Sequence, residues 1–107
     1  MLTFIELHPF AGVRDKYLTD DEFAALQLHL ATHPTTGDVI PRSGGCRKVR
    51  WAPEGRGKRG GLRVIYFLRL EHGVIVLVTI YSKNMRDNID PGLLKRIKEA
   101  FEDEEAV

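Results

Sequence analysis

The stretch LRVIYFLRLEHGVIVLVTIY, Leu62 to Tyr81, is two β-branched and aromatic runs separated by Glu71-His72-Gly73. Runs of that composition, split by a short turn containing glycine, read as an antiparallel hairpin. If Leu70 faces Val74 across the turn, the register carries through to set Arg63 opposite Tyr81. Lys83 and Asn84 then continue just past the second strand. A slip of one residue would leave Arg63 and Tyr81 diagonal neighbours, still within reach of each other.

Upstream, CRKVRWA (Cys46 to Ala52) alternates, with Lys48 and Arg50 on one side and Val49 and Trp51 on the other. This third strand is joined to the hairpin by EGRGKRGG, Glu54 to Gly61. At the N-terminus, TFIELHP reads as a first strand ended by Pro9. YLTDDEFAALQLHLATHP reads as a helix: Thr19 and Glu22 have capping-box spacing, and Asp20 and Asp21 favour the positive helix start. Phe23, Leu26 and Leu30 share one face, and Pro34 stops the helix. A shorter helical turn is expected around Val13 to Tyr17. TTGDVIPRSGG, Thr35 to Gly45, is turn-rich and irregular. DPGLLKRIKEAFEDEE closes the chain as a helix with a Leu94, Ile97, Phe101 stripe. The expected fold class is therefore α+β, an antiparallel sheet of about four strands with helices packed on one side and a helix at the C-terminus.

A chain of 107 residues supports one domain, here residues 1–107. Its longest apolar run, Gly73 to Tyr81, falls short of the roughly 20 residues that span a bilayer. The N-terminus lacks the basic segment and cleavage site of a signal peptide. The single cysteine, Cys46, excludes an intrachain disulfide and fits a reducing compartment, so a cytoplasmic location is expected.

The net charge of +1 conceals an asymmetry. Residues 47–63 hold Arg47, Lys48, Arg50, Arg56, Lys58, Arg59 and Arg63 against Glu54 alone, a local charge of +6 on a remainder of −5. A basic segment on an acidic protein marks a local anion site. The loop also spells G-x-G-x-x-G at Gly55, Gly57 and Gly60. That fingerprint holds a pyrophosphate only when its last glycine opens a helix within a βαβ unit. Here the glycines lead into a strand, and Gly57-Lys58 is followed by Arg59 rather than the Ser or Thr of a Walker loop. The loop reads instead as a flexible hairpin connection whose cations reach for phosphate, or as a solvated loop kept soluble by charge.

The register gathers Lys48, Arg50, Arg63, Tyr81 and Lys83 on one sheet face. Arg56, Lys58 and Arg59 would overhang it. Arg63, in a central strand, calls for an acidic partner or an anionic ligand. Cations and a tyrosine suit RNA cleavage by attack of a 2′-OH on the adjacent phosphate: a lysine crowded by cations loses basicity and can move a proton, and arginines stabilise the phosphoryl charge. Other chemistries are weaker. His29 and His33 have the i, i+4 spacing of a helical metal pair but no third ligand nearby. His8 and His72 are isolated, and Cys46 reads as a small buried residue.

YLTDDEF, GDVIPRSGGCRKVRWAPEGRGKRGGLRVIYF and LVTIYSKN together resemble the HigB-type toxins of the RelE/ParE superfamily. The resemblance runs from Tyr17 to Asn84. It implies a RelE-like fold and a toxin of a bacterial type II toxin–antitoxin system. The implied activity is that of a metal-independent endoribonuclease, needing no cofactor, that cuts mRNA in the ribosomal A site and inhibits translation. The implied partner is a HigA-type helix-turn-helix antitoxin encoded by an adjacent gene. Carried over by position, it implies catalytic Lys48, Arg50 and Arg63, with Lys83 and Asn84 after the last strand. RelE has a Lys-Arg pair at that last place, so Asn84 is a departure. Relatives with a C-terminal tyrosine or histidine have no match in MRDNID, and Tyr81 stands in for it. Arg47, Arg56, Lys58 and Arg59 are the expected RNA-binding residues. The rival readings are a ParE-like inhibitor of gyrase and a nucleic-acid-binding module without catalysis.

Overall fold

A computed structural model describes residues 2–52, 61–84 and 89–105 of the chain. Its elements are β1 (Thr3–Glu6), α1 (His8–Ala11), α2 (Arg14–Tyr17), α3 (Asp20–Thr32), β2 (Asp38–Val39), β3 (Arg47–Trp51), β4 (Leu62–Arg69), β5 (Val74–Ser82) and α4 (Pro91–Glu105). The strands form one sheet in the order β1-β5-β4-β3-β2. β2 through β5 pair antiparallel, but β1 runs parallel to β5. The sheet is therefore mixed and has five strands. A parallel pair cannot be closed by a tight turn: α1, α2 and α3 carry the chain from β1 at one sheet edge to β2 at the other, and the antiparallel strands then return it to β5 beside β1.

The helices cover both faces of the sheet, not one. Leu62, Val64 and Tyr66 of β4 join Ile75, Leu77 and Ile80 of β5 in a core with Phe10, Leu18, Phe23, Leu26 and Leu30. The alternate residues Ile65 and Phe67 join Val76, Val78, Tyr81, Cys46 and Leu94 of α4 in a second core. The reason lies in the strands. Both runs are apolar on both sides, as strands are when both faces are covered, and a single helical layer would leave one face in water. The Leu94, Ile97, Phe101 stripe supplies that second cover, with Phe101 edge-on to Phe67 at 5.6 Å between ring centroids.

Local signals act as their chemistry dictates. Thr19 Oγ1 accepts from the Glu22 amide at 3.1 Å, and Glu22 Oε1 accepts from the Thr19 amide at 2.8 Å, so the capping box is complete. Pro9 does not end the first strand; β1 stops at Glu6 and Pro9 opens α1, where its missing N–H has no helical partner to lose.

The hairpin register differs at the turn and agrees at the far end. Leu70–His72 form one turn of 3-10 helix closed by Gly73 at φ +67°, so Arg69 rather than Leu70 faces Val74. Opposite Ile65 and Tyr66, β5 carries one extra residue, Val78, and the ladder shifts by one. That bulge restores Arg63 opposite Tyr81.

Candidate active site

Strand pairing decides which side chains meet. Arg50 is directly opposite Arg63, and Arg63 is directly opposite Tyr81, so the three form a row across β3, β4 and β5. Lys48 lies two residues from Arg50 on the same face, opposite Ile65. Depth varies along the row: Arg63 and Tyr81 are each 7% exposed, Lys48 is half-buried and Arg50 is open to solvent. Arg63 Nη1 approaches the Leu62 carbonyl at 3.4 Å. Arg50 and Arg63 thus set two guanidinium groups side by side on one sheet face, an arrangement suited to contact with an anionic ligand.

Lys83 and Asn84 follow β5 at the end of this row. The Lys83 amide donates to the Gly61 carbonyl at 3.4 Å and the Asn84 amide to Ser82 Oγ at 3.3 Å, leaving both side chains exposed. Gly61 stands at φ +56°, a left-handed conformation that suits glycine, as the chain enters β4. Arg56, Lys58 and Arg59 lie outside the described residues.

Arg47 is separated from this group. It pairs with Tyr66, on the face covered by α3, and its Nη1 donates to the Gly37 carbonyl at 2.8 Å and the Thr35 carbonyl at 3.3 Å. Its placement ties the α3–β2 connection to β3.

Tyr66, which no sequence motif marks, is the second anchor of that connection. Its hydroxyl donates to the Pro34 carbonyl at 2.7 Å and accepts from the Gly37 amide at 2.9 Å. Burial pushes the phenol pKa up, against lowering by the Gly37 contact and by Arg47. A Cβ at Gly37 would stand 3.0 Å from Tyr66 Cε1 and Oη and 3.1 Å from the carbonyl carbon of Lys48. Glycine is what lets residues 35–37 lie against β3 and set β2 beside Lys48. The one available signal is a tyrosine inside an apolar run, since a buried hydroxyl must find partners.

Beyond β2, the turn is fixed by Ser43, whose Oγ donates to the Ile40 carbonyl at 2.6 Å and accepts from the Cys46 amide at 3.0 Å. Cys46 is buried, with Sγ 3.9 Å from the Leu94 carbonyl, and burial raises its thiol pKa despite the nearby Lys98. It fills space between β3 and α4, as a small buried residue does. These contacts shape a groove of about 360 Å³ lined by Asp38, Val39, Ile40, Pro41, Lys48, Ile65, Tyr81, Ile89 and Pro91. The groove therefore adjoins the Arg50–Arg63–Tyr81 row through Lys48 and Tyr81.

On the opposite face His29 stands between His33 and Trp51, each pair of ring centroids 5.3 Å apart. Among the described residues, no group of three or more His, Cys, Asp and Glu side chains is placed to hold a metal, and no helix is long and apolar enough to cross a membrane.

No model of a known protein family matches the chain. In architecture it is similar to a chain of the intact E. coli RelBE toxin–antitoxin complex, with a TM-score of 0.55 and 10% sequence identity. The match covers 77% of this chain and 96% of that one. The likeness is one of fold: a small α+β structure with a five-strand mixed sheet and a C-terminal helix.

Proposed function

We propose that the protein is the toxin of a bacterial type II toxin–antitoxin system, of the HigB type within the RelE/ParE superfamily, and that it cleaves mRNA in the ribosomal A site. The observation that carries this reading is the row of Arg50, Arg63 and Tyr81 with Lys48 beside it. Guanidinium groups side by side on one sheet face suit a phosphate backbone. Support also comes from the resemblance of Tyr17 to Asn84 to HigB-type toxins and from a fold shared with a chain of a toxin–antitoxin complex.

In the proposed reaction the RNA 2′-oxygen attacks the adjacent phosphorus, forming a 2′,3′-cyclic phosphate as the bond to the 5′-oxygen breaks. Lys48 takes the 2′-OH proton. Arg50 and Arg63 hold the non-bridging oxygens as their charge grows, and Tyr81 donates its phenolic proton to the leaving 5′-oxygen. Lys83 and Asn84, at the end of the row, bind the strand further along, joined by Arg56, Lys58 and Arg59. The antitoxin in this reading is a HigA-type helix-turn-helix protein from an adjacent gene.

The test is induction in growing bacteria with mapping of mRNA 5′ ends, comparing wild type with an Arg63→Ala protein whose folding is checked by circular dichroism. New ends within translated codons are expected with wild type and none with the variant. Growth arrest with unchanged ends would reject the reading. Inhibition of supercoiling by the purified protein would replace it with the gyrase reading. Salt-sensitive binding without cleavage on translating ribosomes would leave a binding module.

A further inference from the structure

Building on the mRNA reading of the neighbouring row, we infer that the 360 Å³ groove is a nucleobase subsite that selects guanine through Asp38. Its volume lies at the lower end of the roughly 300–1,000 Å³ range of small-molecule sites. Ile65 and Tyr81 come from the sheet, Ile40 and Pro41 from the turn after β2, and Ile89 and Pro91 from the approach to α4. Such walls suit the faces of a planar heterocycle.

Two charged groups interrupt this apolar lining, Asp38 and Lys48. They are directly opposed across β2 and β3, so both point to the groove side. Oppositely charged cross-strand neighbours usually gain by touching. Yet among the described residues, Asp38 and Lys48 make neither an ion pair nor a side-chain hydrogen bond with each other or with any third group. An acceptor and a donor held apart at the rim of an apolar slot are arranged for a ligand with polar edges.

Asp38 narrows the choice of base. A carboxylate accepts two parallel hydrogen bonds only from adjacent donors. Guanine presents such a pair in N1–H and the 2-amino group. Adenine and cytosine each offer one amino group beside an acceptor nitrogen, and uracil one imide N–H between two carbonyls. The unpaired acceptors of those bases would face the carboxylate and be repelled. An acid beside an anion-binding row weakens RNA binding in general, which is how discrimination against wrong partners is built. Lys48 lines the groove and shares its sheet face with Arg50, so a nucleotide with its base in the groove has its phosphate at the row.

The experiment uses the full chain labelled with ¹⁵N and four uncleavable 2′-O-methyl pentanucleotides that differ only in the central base. The guanine oligonucleotide should bind tighter than the other three by about tenfold. Amide shifts should fall at Val39, Ile40, Ile65 and Ile89. Asp38→Ala should abolish the preference while leaving binding of the other three equal or stronger, and Asp38→Asn should move it away from guanine. Equal binding of all four oligonucleotides would overturn the inference, as would a guanine preference that survives Asp38→Ala. Shifts absent from the groove with every oligonucleotide would also overturn it and assign the groove to a protein segment. End mapping on ribosomes separates the two proposals. Cleavage by Asp38→Ala with wild-type base preference removes the groove assignment and keeps the nuclease. Guanine-selective binding by a wild type that cuts nothing removes the nuclease and keeps the groove.

Discussion

The sheet holds two directly opposed arginine–tyrosine pairs, one on each face. Arg47 faces Tyr66 across β3 and β4, and Arg63 faces Tyr81 across β4 and β5. The first pair lies under the α3–β2 connection, with its polar atoms bonded to the backbone of Pro34, Thr35 and Gly37. The second has Arg50 as its next neighbour in the row and borders a groove. Identical residue types thus hold a loop on one face and, in our proposal, meet RNA on the other. What separates them is the next strand over: β2 and its loop bring carbonyl groups to Arg47, whereas β3 brings another cation to Arg63.

The sharpest way to break this contrast is to truncate one arginine on each face. Arg63→Ala should lower mRNA cleavage by about 10²- to 10³-fold, the effect of removing one donor to a developing oxyanion. Arg47→Ala should leave cleavage intact and lower stability by about 1 kcal/mol through lost hydrogen bonds. Rates from 5′-end mapping and midpoints from urea unfolding check both. A cleavage defect in Arg47→Ala as large as that in Arg63→Ala would erase the distinction between the faces.

The tyrosines sharpen it further. Tyr66→Phe should destabilise by about 1–3 kcal/mol, because the Gly37 amide and Pro34 carbonyl lose their partner inside the protein. For a domain of this size that is a fall in Tm of several degrees, roughly 4–8 °C per kcal/mol. Tyr81→Phe should slow cleavage, which Tyr66→Phe should not do beyond its effect on folding. If Tyr66→Phe melts like wild type, the loop is held by other contacts.

A smaller effect distinguishes the exposed member of the row. Arg50→Ala should reduce the slope of log affinity against log salt by roughly one unit for RNA oligonucleotides, the loss of one phosphate contact. Arg47→Ala should leave that slope unchanged. Filter-binding titrations at several salt concentrations give the comparison.

Much of this arrangement is legible in the sequence because it depends on short-range rules. Alternation puts Lys48 and Arg50 on one face, and the glycine turn after His72 fixes a hairpin. Arg63 meets Tyr81 as the simple register demands, although two irregularities cancel to produce it: the 3-10 turn shifts the ladder by one and the Val78 bulge shifts it back. The parallel β1 and the cover of both sheet faces are not visible locally. They follow from which apolar surfaces remain after the hairpin forms, a question about the whole chain. The two-residue β2 leaves no periodicity to read, so the groove and the Asp38–Lys48 pair emerge only from the fold. A count of charge does not record which side of the strand each residue occupies, so it does not show that Arg47 lies on the face opposite Lys48 and Arg50.

The smallest effect follows from protonation and again distinguishes the faces. Burial raises the Tyr66 phenol above its ordinary pKa of 10.0. A group whose folded pKa exceeds its unfolded one binds more protons when folded, so the stability it contributes is complete below the unfolded value and is lost as pH rises through the folded value. Cys46 behaves alike from its ordinary value of 9.0, with burial again the largest cause. Stability should therefore fall with increasing pH from about 9 upward. Tyr66→Phe removes the larger-pKa member of this pair, so its Tm, lower at neutral pH, should fall less steeply between pH 9 and 11 than that of wild type. Cys46→Ala should flatten the onset of that fall near pH 9. Parallel Tm–pH curves for wild type and Tyr66→Phe would show that the phenol titrates the same way folded and unfolded. That result would contradict a hydroxyl buried between two backbone partners.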